Sequence, residues 1–377
     1  MTTITQKIRT MPRIVYVLLL LTLFGVAVGI YRLAVGLAQA TNLNDHYPWG
    51  LWIGLDFFTI PAAGAAFTVS AISHFFGRED YHKVLRPAIL AGLLGYLGVV
   101  AILILDLGRW HQFYNILVPP YINLHSFLEE VALSITLYTI VLVLEIAPTL
   151  LERWNLETPI RWLNRLILII SAVGVVISTV HQSSLGSMYL ILKHRLHPLW
   201  WSPIVTLLFL TQALFGGLAT AAIVVKLTQE KLGMVVDRPL LVRMGRLIRA
   251  LLVFYLICRV GDWLVAGKLG LLFTSGGYSL LIWAELIMGA LLPLAILFSR
   301  HGERADGVFW AGVWVLMGLF VHRLTVGWLG LMAPAWATYV PHWIEVMSSV
   351  GVAAGILLAF ILVARFFQLF PEHELSH

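Results

Sequence analysis

Ten stretches of the chain are almost unbroken in apolar residues, at about 14–39, 49–76, 87–107, 125–147, 162–182, 203–227, 243–267, 277–299, 307–330 and 340–366. Each can cross a hydrocarbon layer roughly 30 Å thick, which takes about 20 helical residues. Strands of a membrane barrel alternate polar and apolar residues over about ten positions, whereas LILIISAVGVVIS (166–178) does not alternate. The pattern predicts an all-α polytopic membrane protein of about ten transmembrane helices. No polar block of soluble-domain size interrupts it, so a single integral membrane domain is expected over 1–377.

Composition agrees. Of 377 residues, 60% are hydrophobic and 12% charged, with a mean hydropathy of +0.89, which excludes a soluble domain with a solvated surface. Orientation follows from lysines and arginines in the connections. One set, including Lys7, Arg9, Arg13, Arg78, Arg153, Arg246 and Arg300, holds 18; the other, Arg109, Lys193, Arg195 and Lys268, holds 4. Both termini are therefore expected in the cytoplasm of a bacterium, the chain lying in its inner membrane. The formal charge of +6 is this bias rather than a nucleic-acid patch. The first span, with its LAQA end (37–40), is longer than a signal-peptide core and carries Arg32, so it reads as an uncleaved helix. With Cys258 alone, the chain can form neither a cysteine-ligated iron–sulfur cluster nor an internal disulfide.

Ionisable residues inside spans are costly and are candidate functional positions. Asp56, Asp106, Arg109, His125, Glu129, Glu130, His181, Arg259, Asp262, Glu285, His322, Arg323, His342 and Glu345 all map to the outer half of the membrane. The inner half offers His74 and Glu145, both near helix ends where snorkelling is easy. A site facing the periplasm follows. Asp106/Arg109, Arg259/Asp262 and His342/Glu345 are spaced i,i+3, which would put both members of each pair on one helix face. Glu130 and Glu285 have no such partner, so each needs one from a neighbouring span or a raised pKa that keeps it neutral.

A faint repeat links LDLGRW (105–110) with CRVGDW (258–263), and early glutamates in spans 4 and 8 with late histidines in spans 5 and 9. It predicts two four-helix bundles, spans 2–5 (49–182) and 6–9 (203–330), flanked by spans 1 and 10. The outer loops YPWGLW (47–52), WHQFYNILVPPY (110–121), HPLWWSP (197–203) and APAWATYVPHW (333–343) are aromatic and proline-stiffened. They suit an interfacial belt or a preformed docking surface.

An apolar cleft lined by His, carboxylates, Arg and hydroxyls suits a lipid-soluble quinone. Its ring and tail are apolar, its carbonyls need donors, and its two-electron reduction takes up two protons. The polar run HQSSLGS (181–187), at the expected end of span 5, places His181 to donate to a carbonyl while Gln182 and the serines orient the ring and hold water. Glu130 and Glu285 would shuttle protons, and Asp56 with Asp106/Arg109 would hold the pocket electrostatically.

YPWGLWIGLD (47–56), LRPAIL (85–90), LDLGRW, HQSSLGS, HPLW and VPHWIE (340–345), in this order, resemble the NrfD/PsrC family of quinone-interacting membrane subunits. Within it they are most similar to the HybB-type branch, the membrane subunits of periplasm-facing nickel–iron hydrogenases. The resemblance covers essentially the whole chain. It implies a ten-helix fold with two four-helix bundles and no haem or other metal of its own. It also implies a quinone site, menaquinone being expected, near the periplasmic face, fed by a docked ferredoxin-like iron–sulfur subunit and through it a hydrogenase. Such a chain is a subunit of an oxidoreductase, not active alone, and proton translocation can accompany it. By motif match, Asp56, Asp106, Arg109, Glu130, His181, Gln182 and Ser184 are site residues. His125 is also expected in the quinone-binding set, although it stands where the family pattern has an amide.

Two other classes compete. A b-type cytochrome would use His125, His181, His322 and His342 as haem ligands, although a second haem nearer the cytoplasm would find only His74. A secondary transporter would also show parallel repeats with buried charge, but would need sites at the midplane and gates on both sides. A purely structural anchor would not need so many buried ionisable groups.

Overall fold

The computed structural model describes residues 12–123, 125–231, 234–334, 336–367 and 369. The chain is an all-α polytopic membrane protein, with α1 Arg13–Val35, α2 Leu51–His74, α3 Leu85–Asp106, α4 Phe127–Leu151, α5 Glu157–Ile191, α6 Val205–Lys231, α7 Arg238–Val265, α8 Gly277–Phe298, α9 Ala305–Leu329 and α10 Trp343–Phe366. Nine of these, among the described residues, are long and apolar enough to cross a membrane. The other, α7, is a 28-residue helix whose Arg249, Arg259 and Asp262 make it more charged than the rest. Lys7 and Arg9, used above for orientation, lie outside the described residues.

The helices pack in a ring-like order. α2 packs on α3, α3 on α4, α4 on α5, and α5 returns to α2; α6 packs on α7 and α9, α8 on α9, and α7 on the end of α8. α2 and α5 join the two sets by packing on α6, and α2 also meets α9. α1 and α10 form a pair laid against α3. One core of buried residues, including Phe57, Tyr96, Tyr138, Leu185, Tyr189, Phe209 and Trp263, runs through both sets. LAQA folds as a single turn, Leu37–Ala40, and Ala40 is buried with Val28 and Ile344.

Small residues set the closest approaches. A Cβ on Gly25 of α1 would collide with the backbone of Gly351 on α10, and the reverse holds. Lipid tails are as apolar as side chains, so helices in a membrane are held by van der Waals fit at such crossings. The obstacle is backbone, which no rotamer change relieves. Gly25→Leu is therefore expected to cost more than the roughly 1–3 kcal/mol of ordinary overpacking. A thermal melt in detergent should show a lower midpoint than for Ile30→Leu, an exchange on the exposed face of α1.

The largest departure from expectation is in α5. The spacing places HQSSLGS at a helix end, but the helix runs 35 residues, through to Ile191. Within the helix the hydroxyls of the polar run fold back on the turn before. Ser183 donates to the Thr179 carbonyl at 2.7 Å and Ser187 to that of Ser183 at 3.1 Å, the back-bonding that lets serine sit inside a helix. Ser187 also meets Thr206 of α6 at 3.0 Å. His181 is thus enclosed by helices rather than perched at a loop.

Candidate functional site

The first polar cluster lies inside α2–α5. His181 is completely buried, with Nδ1 3.1 Å from the Tyr96 hydroxyl of α3 and Nε2 without a partner. Tyr96 in turn packs edge-on against Tyr138 of α4. Gln182, also buried, donates from Nε2 to the Ile60 carbonyl of α2 at 3.3 Å and leaves Oε1 unpartnered. That carbonyl is accessible because α2 is irregular there: Pro61 lies inside the helix, and the Gly64 N–H turns to the Pro61 carbonyl. Ser184 Oγ lies 2.8 Å from Glu130 Oε1 and 2.9 Å from the Val180 carbonyl. Glu130 therefore does find its partner on a neighbouring helix. Asp56 is buried on α2 with Oδ1 unpartnered.

Glu285, expected at the same site, sits in a second cluster inside α6–α9. Its Oε1 is 2.8 Å from His322 Nδ1 of α9, and its Oε2 accepts from Trp200 Nε1 at 2.8 Å. Tyr255 of α7 is 3.5 Å from Oε1 and receives a bond from Gln212 of α6 at 3.2 Å. A cavity of about 20 Å³ lies among Gln212, Tyr255, Glu285 and His322, room for one water. Here α8 widens into a π-turn at Ile287–Leu291. Arg323, next to His322, is fully buried over the Phe209 ring, 3.7 Å from its centroid, and its guanidinium nitrogens have no hydrogen-bond partner.

None of the three i,i+3 pairs is an ion pair. α3 ends at Asp106, so Arg109 falls in an exposed turn beyond the helix. The cation near Asp106 is instead Arg32 of α1, which is buried and donates to the Leu107 carbonyl at 2.8 Å. Arg259 donates to the Leu199 carbonyl at 2.7 Å, while Asp262 faces Lys268 at 3.8 Å. His342 and Glu345 form the N-terminal capping box of α10, the arrangement that satisfies free N–H groups at a helix start. Glu345 also accepts from the Tyr339 hydroxyl; burial, with this carboxylate beside it, raises the Tyr339 phenol above its ordinary pKa.

His125 is likewise displaced. α4 begins at Phe127 behind the N-cap Ser126, leaving His125 in an exposed turn. The four histidines considered as haem ligands occupy four different settings: an exposed turn, the Tyr96 contact, the Glu285 contact and a helix cap. Glu145 also departs from expectation. It is 6% exposed and accepts from Ser171 Oγ at 2.6 Å, so its carboxyl stays inside rather than snorkelling.

Tyr96, Tyr138, Trp200, Gln212 and Tyr255 are polar-tipped residues that sequence reasoning passed over. Tyr96 had a visible signal, as the one hydrogen-bonding side chain in LAGLLGYLGVVAILIL (90–105). A larger apolar cavity, about 490 Å³, opens between α1, α3 and α10 and is lined by none of the expected site residues.

Comparison with known proteins adds to this geometry. A family profile described as "Polysulphide reductase, NrfD" matches residues 39–335. The chain is 33% identical to the "Probable Ni/Fe-hydrogenase 2 b-type cytochrome subunit" of Escherichia coli K12, over 90% of this chain and 88% of that one. It is 28% identical to the "Menaquinone reductase, integral membrane subunit" of Nitratidesulfovibrio vulgaris, over 91% of this chain and 88% of that one.

Proposed function

The chain belongs to the NrfD polysulphide reductase family, and from that premise we propose that it is the membrane subunit of a respiratory redox complex. In this reading it passes electrons between an iron–sulfur partner on the periplasmic side, of a nickel–iron hydrogenase, and the quinone pool, with menaquinone as substrate. The ten helices α1–α10 all cross a bacterial inner membrane with both termini in the cytoplasm, and α2–α5 and α6–α9 act as two four-helix bundles. The Escherichia coli relative supports the hydrogenase assignment by its name, and the Nitratidesulfovibrio relative supports menaquinone by its own.

The observation that carries the site assignment is the unpartnered Nε2 of a fully buried His181. A lost partner inside a protein costs about 1–3 kcal/mol, so a ligand group there is expected. If Tyr96 donates to Nδ1, the imidazole proton sits on Nε2, which then donates to a quinone carbonyl. Gln182 Oε1, an acceptor without a donor, suits the hydroxyl of the reduced ring. Quinone, when bound, supplies a two-electron, two-proton acceptor. Glu130, held by Ser184, moves a proton at its carboxyl, and Asp56 supplies a second buried carboxyl from α2.

The test is a dithionite-reduced minus oxidised visible spectrum of the purified chain, run with extraction of bound lipid-soluble quinone. Bound quinone without a stoichiometric b-type band is expected. A stoichiometric b-type band would replace this reading with haem ligation by His181 or His322.

A further inference from the structure

α1 packs chiefly on α10, and the two touch at the Gly25 and Gly351 crossing. Where α1 would otherwise meet α3 there is a slot instead. It is the apolar cavity of about 490 Å³, bounded by residues 22–33 of α1, 94–105 of α3 and 351–359 of α10. That volume falls within the roughly 300–1,000 Å³ of ligand sites. Along α1 the slot runs about 16 Å, at roughly 1.5 Å per residue, which is the depth of one leaflet of a hydrocarbon core roughly 30 Å thick.

The lining offers nothing to a polar ligand. Among the residues that form it, Thr22 carries the one polar side chain, and its hydroxyl already donates to the Leu18 carbonyl at 2.7 Å. A cavity lined in this way stays dry, so its occupant is hydrocarbon; a quinone ring would find no donor there for its carbonyls. α3 also stands between the slot and the His181 cluster. At about 100° per residue, Leu94, Gly98, Ala101 and Leu105 lie on the opposite side of the helix from Tyr96, which meets His181.

At the Leu33 and Leu105 end of the slot, the chain beyond α3 is tied to α1. Arg32 donates to the Leu107 carbonyl at 2.8 Å and Trp110 Nε1 to the Leu33 carbonyl at 3.1 Å. Arg109, between these two ties, is exposed. The other lysines and arginines of the outer connections are engaged with neighbouring loops. Arg195 donates to the His46 carbonyl at 2.7 Å, Lys268 to the Trp201 carbonyl at 2.8 Å, and Lys193 lies over the Trp201 ring. The Arg109 side chain has no such partner among the described residues.

We propose that the slot holds one acyl chain of an outer-leaflet phospholipid whose phosphate is bound by Arg109. The acyl chain takes the place of the missing contact between α1 and α3. The van der Waals fit that holds helices together in a membrane then runs from α1 through the lipid to α3. Arg109 suits the headgroup because a guanidinium can donate two parallel hydrogen bonds to a pair of phosphate oxygens. Trp110, beside it, belongs at that depth, where tryptophan is favoured. The choice of leaflet rests on the positive-inside orientation; the proposal does not depend on the quinone reading. Such a lipid is a resident part of the fold, unlike those that pass over the exposed side of α1 at Leu20 and Leu23.

The test uses the full chain, purified in mild detergent and washed with lipid-free micelles, and assays extracted phospholipid and quinone separately. Wild type is expected to retain one phospholipid per chain. Ala101→Phe, which fills the slot, is expected to lose it and to keep its quinone. Arg109→Gln is expected to weaken rebinding of added phosphatidylglycerol about two- to fivefold, the scale of an exposed ion pair, whereas Lys193→Gln, a cation elsewhere on the outer side, leaves rebinding unchanged. If Ala101→Phe fails to fold, thermal melts carry the test: phosphatidylglycerol added after washing should raise the midpoint of wild type, and that of Arg109→Gln less at the same concentration. No phospholipid retained by wild type, equal retention by Ala101→Phe, equal rebinding by Arg109→Gln, or loss of quinone in place of phospholipid on filling the slot would overturn the proposal.

Discussion

Replacing His181 with alanine is expected to reduce donor-to-quinone turnover by about 100-fold or more, with the complex still assembled. A positioned acid or base typically contributes 10²–10⁴ in rate, and this imidazole is held from one side only, by the Tyr96 hydroxyl at 3.1 Å. Tyr96→Phe keeps the ring packing on Tyr138 and removes the hydrogen bond. It should lose less, roughly tenfold or about 1.4 kcal/mol, because the imidazole remains but its tautomer is no longer fixed. Turnover of both variants, with extraction of bound quinone, separates the two effects. Activity of His181→Ala within twofold of wild type would show that the site lies elsewhere.

The second large effect is expected on stability. His322 and Glu285 are 2.8 Å apart, with side chains only 5% and 6% exposed. Removing one member of a buried, hydrogen-bonded pair typically costs 3–5 kcal/mol, because the other is left uncompensated, whereas replacing both by apolar groups can be close to neutral. His322→Leu is therefore expected to destabilise the chain by about that amount. The double variant His322→Leu/Glu285→Leu should regain part of it, less the cost of stranding Trp200 Nε1, which also bonds Glu285. A double-mutant cycle of denaturation in detergent reads the coupling. Additive losses would mean that the pair is not an energetic unit.

The helices were legible in the sequence because membrane burial demands long apolar runs, and those runs located α1–α10 to within a few residues at most ends. The exception is instructive. At α5 the apolar run stops at HQSSLGS, which puts the expected end there, yet Glu157–Ile191 is continuous, with its serine hydroxyls bonded back to the preceding turn. Depth was also informative, in that Glu130 and Glu285 were expected to need partners from other helices and have them in Ser184 and His322. What the spacing did not reveal was which helix supplies which partner. An i,i+3 interval says that two side chains share a face only if the helix continues, and α3 stops at Asp106 while α10 starts after His342. Glu285 and His181 part for a related reason: residues at one depth can belong to different sets of helices, and Glu285 meets His322 and Trp200 instead.

The pairing of α1 with α10 bears on how the protein is made. The crossing of Gly25 with Gly351 joins α1 to a helix that leaves the ribosome much later. At about 5–20 residues per second, Arg32, buried in the finished protein, waits on the order of 4–15 s for the Leu107 carbonyl just past α3, whereas the Gly25 face of α1 waits on the order of 20–70 s for Gly351. A lone arginine in hydrocarbon is costly, so α1 is a segment for the insertion machinery to shelter until α3 is in place. Truncation before Trp343 would leave the Gly25 face of α1 without its partner, giving a quality-control system a signal that α10 has not been made.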